Sequence, residues 1–279
     1  MMADEPAVQG DLRADVPHTA RIWNYWLGGK DNFAADRQVG DRVREIFPVV
    51  IELAQADRQF LKRAVRHLTA EVGIRQFLDI GTGLPTQDNT HEVAQQLAPE
   101  TRIVYVDNDP LVLAHARALL TSSPEGSTDY LHADLHDPDT ILRAAATTLD
   151  LSQPVAIMLL GIMHFISDDD ELQQIIDRLV SAVPSGSYIA VANTTTAVNG
   201  ATTAEAVRVW NIDAQPKLKL RTPERIAEFF TGLELVEPGW VSCSRWRPEP
   251  LEDGSLPTEV DQWCGIIRKP QVARSSQRP

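Results

Sequence analysis

The sequence predicts an α/β fold, in which a doubly wound, mostly parallel β-sheet with an antiparallel C-terminal strand follows an N-terminal helical extension. Two observations predict it. From residue 74 onward, short apolar segments alternate with amphipathic helical segments, and this order builds a parallel sheet covered by helices on both faces. Glycines and acidic residues directly follow several apolar segments, at the carboxyl ends of strands where open α/β sheets bind their ligands.

Composition agrees with one such domain and limits its partners. The 279 residues are 43% hydrophobic and 23% charged, which is ordinary for a globular protein. A formal net charge of -13 disfavours generic binding to nucleic acid or anionic membranes. No apolar run approaches the ~20 residues of a membrane helix, and the N-terminus is too polar for a signal peptide. Cys243 and Cys264 lack C-x-x-C spacing, so we expect structural thiols, no metal site and a cytoplasmic location.

The N-terminal part of the chain predicts an arm followed by helices. Residues 1–16 are expected to be a disordered arm, whereas residues 17–73 carry helical spacing. The aromatic helix ARIWNYW is stopped by a double glycine, and two longer helices follow it.

Strands and helices then alternate. The strands are IRQFLDIG, RIVYVD, TDYLHADL, PVAIMLLGI and GSYIAVANTT. The fourth is the most apolar, so it is expected at the centre of the sheet, where both faces are covered. The helices between them are NTHEVAQQLA, PLVLAHARALL, PDTILRAAATTL and DDDELQQIIDRLVSAV.

The C-terminal part predicts one more helix and an antiparallel pair of strands. TPERIAEFFTGL has Thr222 as its N-cap, Pro223 at its first position and Gly232 at its end. The strand-like runs LELVEPGWVSCSRW and QWCGIIRK form a closing pair, which can add an antiparallel edge to a parallel sheet. Residues 270–279 are expected to be a flexible tail.

The first candidate site is the turn after the first strand, in FLDIGTGLPT. Asp79 ends the strand, and the run Gly81, Thr82, Gly83 lets backbone N–H groups approach a ligand. Thr86 stands where the G-x-G-x-x-G fingerprint has its third glycine, which counts against NAD and FAD. The acid before the glycines suits a ligand with an ammonium group. The alternative is an ordinary strand-to-helix turn.

Acids also follow the second and third strands. Asp107, with Asn108 beside it, can accept hydrogen bonds from both hydroxyls of a ribose. Asp109 is more simply explained as the N-cap of the next helix. Asp134 and the following backbone amide, at Leu135, could pair with an adenine amino group and ring nitrogen. A turn or capping role for Asp134 is an equally good interpretation.

The fourth strand runs into LLGIMHFISDDD. Gly161 lets a ligand pack against the backbone, and His164 is a candidate catalytic base, because an imidazole titrates near neutral pH. Packing between methionine and phenylalanine is the more frequent role of such a histidine. The aspartates 168–170 begin a helix and are interpreted as capping residues rather than metal ligands.

Together, these motifs resemble those of the class I S-adenosylmethionine-dependent methyltransferases. LDIGTG resembles their glycine motif, VYVDND their ribose-binding acid, HADL their adenine-side motif, and LLGIMHF the strand-four motif that faces the methyl group. The resemblance covers residues 74–269. It implies a Rossmann-like, doubly wound seven-stranded sheet, in which CGIIRK is the antiparallel seventh strand.

A narrower resemblance covers nearly the whole chain. ARIWNYWLGGKDNFAADR, DIGTGLPTQDNTHEVAQ and the ending EPGWVSCSRWRP…WCGIIRK are similar to a bacterial family of S-adenosyl methyltransferases without an agreed acceptor. Thr90 stands where that family usually has valine. The resemblance implies S-adenosyl-L-methionine as cofactor, S-adenosyl-L-homocysteine as product and residues 21–32 near the cofactor. The cofactor contacts that it implies are Asp79, Gly81, Gly83, Asp107 and Asp134.

With the cofactor at the strand ends, residues 21–33 are expected to form a lid over it. Tyr25 would cover the cofactor, and the double glycine beginning at Gly28 would give the bend. Polar contacts to the amino-acid end of the cofactor, or to the acceptor, would come from Lys30, Asp31 and Asn32.

We therefore expect a methyltransferase that acts on a small molecule. The segment LGIMHF stands where many amine-directed nucleic-acid methyltransferases have N-P-P-Y, and with the negative charge this favours a small-molecule acceptor, without nucleic acid or membrane as partner. The main alternative is a non-catalytic S-adenosylmethionine-binding protein with a regulatory or interaction role. A nicotinamide-dependent oxidoreductase is the lesser alternative.

Overall fold

The computed structural model describes residues 14–85, 87–119 and 121–271. Most of the predicted arm and tail lie outside these residues. None of the helices in the described part of the chain combines the length and apolarity that crossing a membrane requires.

One mixed sheet organises the fold. Its strands are β1 (Gln76–Ile80), β2 (Arg102–Asp107), β3 (Ser127–His132), β4 (Ala156–Leu160), β5 (Tyr188–Thr194), β6 (Glu234–Leu235), β7 (Val241–Ser242) and β8 (Gln262–Arg268). They lie in the order β3-β2-β1-β4-β5-β8-β6, with the first five parallel and β8 antiparallel to β5. The predicted α/β class, the doubly wound parallel sheet and the antiparallel C-terminal strand are confirmed.

The predicted count of seven strands is wrong, because the described residues contain eight. The expected strand LELVEPGWVSCSRW is interrupted at Pro238, which has no N–H for a ladder, and at Gly239, whose φ is +92°. The two remaining pieces, β6 and β7, both pair antiparallel with β8. Together they fill the edge position at which one strand was expected.

The helices are α1 (Thr19–Trp26), α2 (Ala34–Ile46), α3 (Val50–Arg66), α4 (Thr90–Leu97), α5 (Pro110–Leu119), α6 (Pro138–Ala145), α7 (Asp169–Ser181), α8 (Gly200–Asp213) and α9 (Pro223–Glu228). Thr222 caps α9 as predicted, by accepting from the backbone of Arg225. The helix ends at Glu228, earlier than predicted, and Gly232 lies in the turns that follow it.

Two apolar layers cover the two faces of the sheet. On one face Leu78 and Ile157 pack with residues of α6 and α7, and on the other Phe77 and Met158 pack with residues of α3 and α4. Neighbouring strand residues thus point to opposite faces, and both faces are buried, as a parallel sheet requires.

The N-terminal helices form a third apolar cluster with α8. Ile22 and Trp26 of α1 pack with Val43 of α2 and with Ala206 and Trp210 of α8. This cluster holds α1 against the end of the sheet at which β1 to β5 terminate.

Candidate functional site

A pocket of about 410 Å³ opens at the carboxyl ends of the parallel strands. Its floor is formed by residues 79–84, 106–108, 133–136 and 160–162, which follow or end β1, β2, β3 and β4. The volume lies within the roughly 300–1,000 Å³ range of small-molecule sites. The predicted residues Asp79, Gly81, Thr82, Gly83, Asp107, Asn108, Asp134, Leu135 and Gly161 all line it.

The glycine turn after β1 shapes the floor of the pocket. Gly81 and Gly83 have φ angles of +78° and +67°, which residues other than glycine rarely adopt. A Cβ on Gly81 would lie 2.8 Å from the side chain of Ile162. The expectation that this turn offers its N–H groups to a ligand is wrong, because those of Gly81 and Thr82 bond to the carbonyl of Val106. The turn therefore lets a ligand approach the backbone closely, but it does not provide a set of free N–H donors.

Asp107 joins the glycine turn to the tip of β2. One carboxylate oxygen accepts from the backbone N–H of Gly83 at 2.8 Å, and the other accepts from the backbone N–H of Asp109 at 2.9 Å. Asp107 is buried, and burial raises its pKa. Each oxygen keeps lone pairs for a further donor from the pocket.

Asp79 is a buried carboxylate at the end of β1. Burial raises its pKa to about 6, although a hydrogen bond from the hydroxyl of Thr90 acts in the opposite direction. The Thr90 Oγ1 donates to Asp79 Oδ2 at 2.6 Å. Thr90, which differs from the valine usual in the resembling family, thus contacts the acid of the glycine motif.

Asp57 of α3 is a second buried carboxylate in the wall, and sequence reasoning missed it. Its Oδ1 accepts from the side-chain amide of Gln262 at 2.9 Å, and burial raises its pKa to about 6. A signal was present in the sequence. Asp57 follows Leu53 by four residues and precedes Leu61 by four, so it interrupts the apolar stripe of α3.

The charges of the pocket wall are unbalanced. Within the described ranges, no ion pair reaches Asp57, Asp79 or Asp107. The guanidinium of Arg58 also lines the pocket, where its Nη2 donates to the carbonyl of Gln87 at 2.9 Å. Buried charges are stable when paired, so these carboxylates favour a ligand that carries positive charge.

Polar side chains lie together at the β2–β3 side of the pocket. Asn108 Nδ2 donates to Asp134 Oδ2 at 2.9 Å, and the ring Nδ1 of His136 lies 2.6 Å from Asp134 Oδ1. These partners hold the carboxylate of Asp134 in place and keep its pKa low, although burial acts in the opposite direction. The backbone amide of Leu135 follows it directly in the pocket wall.

His164 does not line this pocket, contrary to what its position after β4 suggested. Its side chain is 1% exposed and faces a separate, smaller cavity, whereas Gly161 and Phe165 line the main pocket. Burial and the charge of Arg221 lower its pKa to about 3, with an opposing effect of the Gly161 backbone. A buried ring that is so difficult to protonate is a poor general base, so the geometry does not support this role.

The N-terminal helix roofs the pocket, but through other residues than predicted. Trp23 and Asn24 of α1 and its C-cap Leu27 line the pocket, and so do the opposing Gln215 and Pro216. A β-bridge between His18 and Gln215 joins the two parts of the roof.

The five predicted lid residues, Tyr25, Gly28, Lys30, Asp31 and Asn32, lie outside the pocket wall. Tyr25 lies on another face of α1, where its hydroxyl donates to Asp41 of α2 at 2.7 Å. Gly28 and Lys30 are exposed in the turn after the helix. The amide of Asn32 is bonded within that turn, to the Gly29 carbonyl at 3.0 Å.

Asn24 links the pocket roof to this turn. Its Oδ1 accepts from the backbone N–H of Asp31 at 3.0 Å and from Asn32 Nδ2 at 2.9 Å. A Cβ on Gly29 would lie 2.3 Å from the Asn24 amide nitrogen, so the side chain packs directly on the glycine backbone. The G-G-K-D-N segment therefore holds a pocket residue in place rather than reaching into the pocket itself.

Buried charges attach the roof to the floor. His18 Nδ1 lies 2.9 Å from Asp109 Oδ2, beside the Asp107 turn. The fully buried Asp36 accepts from the backbone N–H groups of His18 at 2.9 Å and Phe33 at 2.8 Å. Arg21 lies near both acids, with Nε 3.7 Å from Asp36 and 3.9 Å from Asp109.

The acidic run 168–170 serves the start of α7. Asp168 caps the helix by accepting from the backbone N–H groups of Asp170 and Glu171. Asp169 pairs with Lys219, Arg221 and Arg225. In the part of the chain that the structure covers, no group of three His, Cys, Asp or Glu side chains is arranged to hold a metal ion.

Comparisons with known proteins agree with this architecture. A family model described as S-adenosyl methyltransferase matches residues 6–270. The fold is similar to a DUF574 family protein from Streptomyces avermitilis, with 42% identity, TM-score 0.87 and coverage of 93% of this chain and 100% of that one. A candidate methyltransferase from Thermobifida fusca has 39% identity, TM-score 0.85 and coverage of 95% and 100%.

A more distant solved structure shares the fold alone. An O-methyltransferase family protein from Burkholderia thailandensis has 14% identity and TM-score 0.51, with coverage of 85% of this chain and 60% of that one. No curated protein sequence matches the chain.

Proposed function

The chain belongs to the S-adenosyl methyltransferase family, and from this premise we propose that it transfers the methyl group of S-adenosyl-L-methionine to a small-molecule acceptor. The observation that carries the proposal is a set of three buried carboxylates in the pocket wall, without an ion pair among the described residues. Asp79 and Asp107 lie at strand ends, and Asp57 lies on α3. S-adenosyl-L-methionine brings two positive groups, its ammonium and its sulfonium, into such a pocket. The residues present therefore fit this cofactor.

We assign the nucleoside half of the cofactor to the β2–β3 side. Asp107 accepts from the ribose hydroxyls with the lone pairs that its two backbone donors leave free. Asp134 and the backbone amide of Leu135 contact the adenine edge, with Asn108 and His136 holding the carboxylate.

We assign the amino-acid half to the β1 side, where charges of both signs line the wall. Asp57 and Asp79 attract the ammonium group, and Arg58 attracts the carboxylate. This arrangement recognises a zwitterion, because each charged group of the ligand meets a buried or half-buried partner of opposite sign. S-adenosyl-L-homocysteine, the product, keeps both of these groups.

The protein contributes orientation and the exclusion of water. The sulfonium of the bound cofactor supplies an already activated methyl group. Holding the donor and acceptor in line can lower a barrier by about 7–11 kcal/mol at best. Residues 17–73 act as the roof of the pocket through Trp23, Asn24 and Leu27, and residues 74–269 form the methyltransferase domain that binds the cofactor.

The roofed pocket supports a small acceptor. Its walls come from α1, α3 and the loop at Gln215, so the acceptor has to fit beside the cofactor under this roof. A net charge of -13 opposes a nucleic-acid acceptor.

Calorimetry with S-adenosyl-L-methionine, S-adenosyl-L-homocysteine and NAD tests the cofactor assignment. We expect both sulfur compounds to bind and NAD not to bind. Absence of binding by both sulfur compounds at millimolar concentration would contradict the proposal. A screen of metabolites with methyl-labelled donor then tests the transfer, with Asp107→Ala as the control. Cofactor binding without label transfer across the screen would favour the non-catalytic, regulatory alternative.

A further inference from the structure

A second cavity, of about 40 Å³, lies directly behind the cofactor pocket. The two share Trp23 and Phe165 as wall residues. The other walls are largely aromatic and aliphatic, and include Phe47, the C-cap of α2, and Trp210 of α8. The two cavities are thus neighbours, with the side chains of Trp23 and Phe165 between them, near the turn that follows β4.

Most polar groups of this cavity wall are already bonded elsewhere. The indole N–H groups of Trp26 and Trp210 each donate to a backbone carbonyl at 3.2 Å. The hydroxyls of Thr194 and Thr203 each donate to a buried side chain at 2.9 Å. These residues therefore present apolar surface to the cavity.

His164 differs from them. Its side chain is 1% exposed, and neither ring nitrogen makes a hydrogen bond of good geometry within the described residues, although the Gly161 backbone lies close enough to oppose the lowering of its pKa. The ring stands edge to face against Phe165, with 4.3 Å between the ring centroids. Because its pKa is lowered to about 3, the ring is neutral at physiological pH and offers one donor and one acceptor. Leaving a buried polar group unpaired is unfavourable, so a ligand that pairs with it gains binding energy there.

We propose that this cavity receives one end of the methyl acceptor, and that the acceptor is a flat, uncharged aromatic molecule whose hydroxyl group pairs with His164. This proposal rests on the proposed function, since it deepens the assignment of the acceptor. His164 is then a positioning residue, which holds the end of the acceptor remote from the methyl group.

The size of the cavity fixes how the acceptor lies. An apolar cavity that encloses benzene has a volume of about 150 Å³. The present cavity, at about 40 Å³, admits only the edge of such a ring. In the proposed arrangement the ring lies between Trp23 and Phe165, which line both cavities, and its reacting atom lies in the cofactor pocket.

The wall chemistry favours a neutral acceptor over an amine. Among the residues that the structure describes, no carboxylate lines the cavity, and the charge of nearby Arg221 disfavours a second positive charge at His164. A protonated amine would lose its water without gaining a counter-charge, which is costly in a buried site. Aromatic walls instead match an aromatic ring by stacked or edge-to-face contacts.

Phenol and benzene are suitable probes, because they differ only in the hydroxyl. Their affinities are measured by ligand-observed NMR on the full chain, alone and saturated with S-adenosyl-L-homocysteine. We expect phenol to bind the saturated protein, and the phenol-to-benzene affinity ratio to fall about tenfold in His164→Leu, as the loss of a buried hydrogen bond implies. Val207→Phe, which fills the cavity from α8 without changing His164 or the cluster that holds α1, should abolish binding of both probes and leave S-adenosyl-L-homocysteine affinity unchanged.

Three results would overturn the inference: an unchanged ratio in His164→Leu, displacement of S-adenosyl-L-homocysteine by phenol, or benzylamine binding as tightly as phenol. Binding of S-adenosyl-L-homocysteine is measured first in every variant. Its absence in the wild-type protein would overturn the proposed function instead, and its retention in a variant shows that the variant is folded.

Discussion

The carboxylate of Asp107 accepts a hydrogen bond from the backbone N–H of Gly83 at 2.8 Å, which ties the tip of β2 to the glycine turn after β1. Two neighbouring strands thereby share one polar contact at the floor of the pocket. Binding of a ligand to this carboxylate therefore depends on the conformation of the glycine turn.

Replacing this acid should weaken cofactor binding. Asp107→Ala removes the proposed acceptor of the ribose hydroxyls, and hydrogen bonds to a charged group contribute about 1.5–3 kcal/mol. We expect the affinity for S-adenosyl-L-homocysteine, measured by calorimetry, to fall about 10- to 150-fold. Asp253→Ala, in an exposed loop, is the matched control and should bind as the wild type does. Equal affinities for the two variants would show that the ribose lies elsewhere.

Arg58 should discriminate between ligands with and without an amino-acid end. In Arg58→Met the proposed partner of the ligand carboxylate is lost while the aliphatic stem is kept. We expect calorimetry to show about 10-fold weaker binding of S-adenosyl-L-homocysteine, and unchanged binding of 5′-methylthioadenosine, which lacks the amino-acid end. Arg75→Met, in an exposed ion pair with Glu100, serves as control. A parallel loss for both ligands would place Arg58 outside the amino-acid site.

Thr90 should set the pH range of binding through Asp79. Its hydroxyl donates to the carboxylate at 2.6 Å and so lowers a pKa that burial raises to about 6. The ammonium of the ligand needs the ionised carboxylate, so affinity should be lost as the pH falls through this pKa. In the isosteric Thr90→Val the pKa rises further, and the midpoint of S-adenosyl-L-homocysteine affinity between pH 5 and 8 should move upward. Coinciding pH profiles would refute this coupling.

Asp57 should lower the stability of the ligand-free protein at neutral pH. Its pKa is about 6 in the fold and about 3.9 in an unfolded chain, so the folded state binds more protons between these values. Stability from this group is therefore present at low pH and lost as the pH rises from about 4 to about 6, by at most about 3 kcal/mol.

Asp57→Asn removes that loss and keeps an oxygen that can accept from Gln262. We expect its Tm at pH 7.5 to exceed that of the wild type by several degrees, at roughly 2–4 °C per kcal/mol for a domain of this size. The difference should vanish near pH 4. A lower Tm for the variant at both pH values would disprove the linkage.

Substituting each residue of the double glycine should show which of the two supports the roof. In Gly29→Ala the new Cβ would meet Asn24 at 2.3 Å, so this pocket residue has to move. In Gly28→Ala the Cβ meets nothing within 4 Å, although a φ of +79° makes the change strained by about 1–2 kcal/mol. We expect both to lower the Tm and only Gly29→Ala to weaken S-adenosyl-L-homocysteine binding markedly. Equal binding by the two variants would argue against Asn24 as a roof contact.

The floor of the pocket could be predicted because the topology of a parallel sheet fixes it. Once β1 and β2 were identified, Asp79 and Asp107 had to lie at neighbouring strand ends, and the structure places both in the pocket wall. Asp57 could not be placed in the same way. Its position on the apolar stripe of α3 shows burial, but the crossing of α3 over the strand ends depends on tertiary packing.

In the roof, the sequence did not reveal how α1 is oriented about its own axis. α1 carries Trp23, Tyr25 and Trp26 on different faces, so the aromatic pattern does not reveal which face meets the sheet. Packing of Trp26 against Trp210 decides it, and this rotates Tyr25 away from the pocket. His164 was misplaced for a similar reason, because in the 3₁₀ turn Met163–Phe165 His164 lines only the smaller cavity, whereas Phe165 lines both.

The contact of α1 with α8 has a consequence for how the protein is made. A ribosome releases Ile22 and Trp26 early, but their partners Ala206 and Trp210 emerge only after all five parallel strands. Until then the part of α1 that packs on α8 stays uncovered, which favours association with other nascent chains or with a chaperone. Closure of the roof therefore waits for α8, so ligand binding requires synthesis at least as far as Trp210.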